Sequence, residues 1–142
     1  MIFLAPRGGR LTQKFGPFKA SMVGLSIGAV CLVMYGTLWS PYPMLVIGVI
    51  HGVVDGLTVT GGSAAVALVA PRERLASAQG LFGGLQTLMG GIAAVIAGTA
   101  YGVIGRATFI WCAGAMLLFI AIGAWLAKDS LHITGADNPI DA

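Results

Sequence analysis

Ala20–Trp39 reads ASMVGLSIGAVCLVMYGTLW and contains no charged residue, and Thr108–Ala127, TFIWCAGAMLLFIAIGAWLA, contains none either. Each run meets the roughly 20 residues an α-helix needs to cross about 30 Å of hydrocarbon. A water-soluble helix would gather its apolar residues on one face and set polar ones opposite. Here the apolar residues continue around the whole helix, so both runs are predicted transmembrane spans. Composition agrees: 57% of the 142 residues are hydrophobic and 9% are charged, whereas a soluble domain carries about a quarter charged residues.

Two further spans follow from the same reading. Met44–Ala70 is apolar apart from His51, Asp55 and a few hydroxyls, and Ser77–Ile104 is apolar apart from Gln79, Gln86 and small polar residues. The expected fold is an all-α membrane protein of four transmembrane helices, at about 20–39, 44–70, 77–104 and 108–127. A basic cytoplasmic loop, 1–19, precedes this 20–127 region and a polar tail, 128–142, follows it. Ser40-Pro41-Tyr42-Pro43 makes a tight uncharged turn beside Trp39, an aromatic of the kind that sits at a membrane interface. Pro71-Arg72-Glu73-Arg74 breaks the chain after the second span, and Gly105-Arg106 alone separates the last two, which should therefore be antiparallel neighbours.

The cations set an expected orientation. Arg7, Arg10, Lys14, Lys19, Arg72, Arg74 and Lys128 fall on one side of the four spans and Arg106 alone on the other. By the positive-inside rule both termini are cytoplasmic, as an even number of spans also requires. The net charge of +3 is explained by this placement. No basic stripe interleaved with stacking aromatics exists to suggest nucleic acid. Met1–Ala5 is too short for the apolar core of a signal peptide, so the plasma (inner) membrane is the expected location.

No cofactor, metal site or catalytic residue is expected. There is no nucleophile elbow, HExxH or P-loop. Cys31 and Cys112 lie within apolar spans, where cysteine behaves as a small hydrophobe, and His132 sits solvated in the tail. Glycine is spaced for helix packing: Gly48, Gly52 and Gly56 form one row, which Thr60 and Ser63 continue. Gly24 and Gly28 form a pair, and Gly80, Gly84, Gly91, Gly98 and Gly102 fall near one face of the third span. Such rows let backbones approach closely where lipid offers no hydrophobic drive.

The polar exceptions are the candidate functional residues. His51, Asp55, Thr58 and Gly62 share a helical stripe on the second span. A carboxylate near the centre of a span costs about 3 kcal/mol even on lenient insertion scales, so something must offset Asp55. A water-filled pathway would make it a proton-coupling group modulated by His51; a hydrogen-bonded partner on a neighbouring helix would make it a structural pin. Both readings stay open, and Gln79, Gln86 and Thr87 are weaker candidates for solute contact or interhelical hydrogen bonds.

The loops carry a resemblance. Gly9-Arg10-Leu11-Thr12-Gln13-Lys14-Phe15-Gly16-Pro17-Phe18-Lys19 resembles the G-x-L-x-D-R-x-G-x-x-[RK] loop of the major facilitator superfamily, with Gly9, Leu11, Lys14, Gly16 and Lys19 fitting and Gln13 at the acidic position. Ala70–Gly80 is similar to the family's connection between its tenth and eleventh helices. The resemblance implies helices nine to twelve of a transporter that has twelve in two halves, with substrate bound between them. Met1–Ala5 would then be the end of an eighth helix. It further implies transport of a small solute by alternating access, either proton-linked or not. The rival expectations are a non-transporting scaffold or accessory subunit, assembling with itself or with a missing transporter half, and an inactive truncated product. Small four-helix multidrug exporters are similar in length but rely on a glutamate in the first span, which has no acid here.

Overall fold

The computed structural model describes residues 16–128, and all regular structure among them is helical. The helices are α1 (Pro17–Thr37), α2 (Pro41–Val69), α3 (Leu75–Ile104) and α4 (Ala107–Leu126), with a short 3-10 turn at Arg72–Arg74. Gly9, Leu11 and Lys14 of the loop motif, and the tail with His132, lie outside the described residues.

The helix boundaries follow from local chemistry. Proline stands in the first turn of α1 and α2, where its missing N–H would have no partner anyway. Ser40 and Ala70, each before a proline, are extended at φ −83°, ψ 136° and φ −79°, ψ 135°, because the following ring disfavours a helical conformation. Gly16 enters α1 at φ 84° and Gly105 closes α3 at φ 58°. Both lie in the left-handed region that side chains disfavour, so these turns need glycine. Gly105 N–H donates to Tyr101 O at 2.9 Å, and the chain reverses there into α4.

All four helices are long and apolar enough to span a membrane. With 21 and 20 residues, α1 and α4 match the hydrocarbon thickness at 1.5 Å per residue. With 29 and 30 residues, α2 and α3 exceed it.

The packed body is α1 held between α2 and α4. Its interior is made of small side chains: Ala20, Gly24, Gly28 and Cys31 recur along one face of α1. They are met by Ile47, Val54, Gly61 and Ala65 from α2 and by Thr108 and Ala113 from α4. Among the described residues no large side chain is fully enclosed, and most bulky residues other than Ile47 and Val54 point outward. That inversion suits a lipid solvent, in which helices associate by close van der Waals fit.

Glycine does this fitting at positions only partly foreseen. A Cβ on Gly24 would lie 2.5 Å from Thr58 Oγ1, and one on Gly61 would collide with Ser21 Oγ. Each helix thus inserts a hydroxyl into a notch on the other. A Cβ on Gly36 would come within 2.8 Å of Ile110, which seats α4 on α1. The expected row on the second span is not the contact row, since Gly48 meets only Tyr35 Oη at 3.7 Å and Gly56 meets nothing within 4 Å. The α1–α2 approach uses Gly61, one turn beyond Leu57, because the α2 face toward α1 is the one carrying Val54 and Ala65.

α3 behaves differently. It has no buried residue, and it touches the body near its two ends. Phe82 presses on Gly62 at its start, and Tyr101 lies edge-on to Phe109 of α4 with ring centroids 5.9 Å apart at its finish. Consecutive in sequence, α3 and α4 are joined through a tight turn but are not closely packed along their lengths.

Candidate functional site

The polar stripe of α2 is divided among three environments. His51 is half-buried against α1, its ring 5.8 Å from that of Tyr35. Gly28 makes room for it: a Cβ there would lie 3.9 Å from His51 Nε2 and 3.1 Å from Met116 Cε of α4. Thr58 also faces α1, donating its hydroxyl proton to Val54 O at 3.0 Å while filling the Gly24 notch. Gly62 faces α3, receiving Phe82.

Asp55 lies at the midpoint of α2, exposed, and has no hydrogen-bonded or ionic partner among the described residues. Its place follows from the α2–α3 contact. That contact is sealed by Gln79, whose Nε2 donates to Ser63 O at 2.8 Å, and by Phe82 on Gly62. From Gly62 back to Asp55 and from Gln79 on to Gln86 are two helical turns each, about 10 Å of rise that returns to nearly the same face. Asp55 and Gln86 therefore stand at similar height on the faces of α2 and α3 that meet below them. Both side chains are exposed. Helix geometry thus sets a carboxylate on α2 and an amide on α3 about two turns from the Gln79 contact.

Asp55, Gln79 and Gln86 thus fall on the faces of α2 and α3 that share the Gln79–Ser63 contact, and His51 lies at the α1 interface one turn away from Asp55. Gly16 of the loop motif is the glycine turn that opens α1, and Lys19 is exposed in the first turn of that helix.

A family model described as Major Facilitator Superfamily matches residues 1–142, in agreement with four helices long and apolar enough to cross a membrane. The chain belongs to the Major Facilitator Superfamily. No match was found among curated proteins or among solved structures. As a member of this superfamily, the chain is a multi-pass membrane protein of a transporter family.

One polar feature of this superfamily member escaped the sequence reading. Arg106 donates from Nη2 to Tyr35 O at 2.7 Å and also to Leu38 O, and its guanidinium stacks 4.9 Å from the Trp39 ring centroid. A cation is thereby placed on the carbonyl end of α1, where the helix dipole is negative. Trp39 and Arg106 were each legible as interface residues on the same side of the spans. Their pairing needed the further knowledge that α4 packs on α1.

Proposed function

We propose that the chain moves a small solute across the plasma (inner) membrane by alternating access, as the part of a permease or exporter that corresponds to family helices nine to twelve. In this reading both termini are cytoplasmic, and partner helices supply the opposing half against which these spans rock. The observation that carries the proposal is an exposed mid-span carboxylate, Asp55, on the α2 face joined to α3 by Gln79, in a chain matched throughout by the superfamily model; in this reading the two helices part beyond that contact into a water-filled cleft. Solute contact is assigned to Gln79, Gln86 and Asp55, with Asp55 also taking up and releasing a proton. Support for the proton role is the exposure of Asp55 without a cation or donor among the described residues. Water entering the cleft is then what offsets the cost of a mid-span carboxylate. His51, one turn away and shielded by Tyr35, modulates Asp55 through its charge.

The experiment is solute uptake by the functional assembly at a series of pH values, with Asp55→Asn beside the parent. Asp55→Asn should flatten the pH dependence while leaving exchange of solute measurable; an unchanged pH profile sinks the proton role. A second reading, a non-transporting scaffold, is favoured by the open glycines of α3, of which Gly80, Gly84, Gly91, Gly98 and Gly102 meet nothing within 4 Å. Liposomes holding the chain together with its partner helices that move no solute under an imposed pH gradient would select the scaffold.

A further inference from the structure

A groove of about 610 Å³ opens between α1, α3 and α4. Met22 and Leu25 of α1, Ala97 of α3, and Cys112, Ala115 and Gly123 of α4 are among its walls, which are almost wholly apolar. From Cys112 to Gly123 the groove follows about 16 Å of α4, close to one leaflet's share of a 30 Å hydrocarbon core. A spanning helix docked here would need a seat running the full thickness of the bilayer. A lipid acyl chain needs a seat one leaflet deep.

The charge at one end of the groove narrows the occupant further. Because α1 and α4 are antiparallel, Lys19, three residues before Met22, and Lys128, just past the C-cap Ala127, stand at the Met22–Gly123 end, and both are exposed. Three residues apart on a helix are near neighbours on its surface, so Lys19 lies on the flank that carries Met22. The turn Arg72–Arg74 belongs to the same end of the four-helix body. Among the described residues, cations at this end outnumber acids: Lys19, Arg72, Arg74 and Lys128 against Glu73. We infer that this groove binds one acyl chain of an anionic phospholipid, with its headgroup held at the level of Lys19 and Lys128. Basic residues at the mouth of a crevice between spans are suited to such a headgroup, and the apolar walls accept the chain without leaving a polar group unpaired.

The test uses the purified full chain and native mass spectrometry with phosphatidylglycerol and phosphatidylcholine of identical acyl chains. Two surface cations predict roughly 30-fold preferential retention of phosphatidylglycerol. The double variant Lys19→Gln with Lys128→Gln should lose that preference, and Ala115→Trp, which fills the groove, should lose retention of both lipids. Equal retention of the two lipids by the parent chain overturns the inference, as does a preference that survives the double variant. A phosphatidylglycerol with a photoreactive acyl chain, applied to the unaltered chain, removes any dependence on how the variants fold. Labels concentrated between Cys112 and Gly123 support the site. Labels spread evenly over all helices mark ordinary boundary lipid and overturn it, and loss of labelling on dimer formation would give the groove to a second copy instead.

Discussion

Arg106 is a cation whose surroundings leave it little freedom. Its guanidinium meets two carbonyls at the end of α1 and the face of Trp39. Hydrogen bonds from a charged donor contribute about 1.5–3 kcal/mol, and stacking on an indole about 0.5–1 kcal/mol more. Arg106→Gln should therefore lower the stability of the purified chain by about 2 kcal/mol, read from thermal unfolding in detergent. Arg106→Lys should recover only part of the loss, since an ammonium lacks the planar fork that reaches both carbonyls while stacking. At this scale the sequence was a partial guide. Asp55 and Gln79 were recognisable because a polar group in a span must be accommodated. Gln79 proved to be accommodated by Ser63 O, and Asp55 by no group among the described residues. His51 and Asp55, one turn apart, read as a unit; the roughly 40° between their directions on a helix was enough to put the histidine on α1 and leave the carboxylate exposed.

Among the helices, α1 and α3 use glycine to opposite effect. The glycines of α1 are filled notches, whereas those of α3 have open space around them. Gly61→Val should cost roughly 2 kcal/mol or more because Ser21 and the α1 backbone leave no room for a side chain, an overpacking penalty. Gly84→Val and Gly91→Val should leave thermal unfolding of the isolated chain nearly unchanged. If α3 meets partner helices through those residues, the same two variants should fail to co-purify with the assembly. A glycine row in a sequence announces close approach but not the direction of the neighbour. That is why the pair Gly24 and Gly28 was placed well, whereas Gly48 and Gly56 were not. The row on α2 is regular in spacing, yet the helix turns Val54, Gly61 and Ala65 toward α1.

For the molecule as a whole, four apolar helices were legible because a bilayer constrains length and composition more severely than water does. The division into a tight body, α1 with α2 and α4, and a loosely attached α3 was not legible, since all four spans are similarly apolar and hydropathy carries no record of which faces meet. The proposed orientation can be read directly. Of cysteines introduced singly at Glu73 and Ala107, in a chain whose own two cysteines are replaced, only the one at Ala107 should react with a membrane-impermeant maleimide in intact cells, the one at Glu73 reacting after permeabilisation. Reaction from the same side would contradict the even alternation of spans.

The two longest helices are the ones that carry Asp55, Gln79 and Gln86. At 29 and 30 residues, α2 and α3 are about 45 Å long, against a hydrocarbon core of about 30 Å, and an overlong span is relieved chiefly by leaning. Held together at Gly62 and Gln79 and tied again where Tyr101 of α3 meets Phe109 of α4, they have room to yield chiefly between those points, where Asp55 and Gln86 stand. The spacing of those two residues should therefore follow the thickness of the surrounding bilayer, read as the distance between spin labels placed at Asp55 and Gln86 in lipids of different acyl length. The membrane becomes a mechanical setting for the site as well as its solvent.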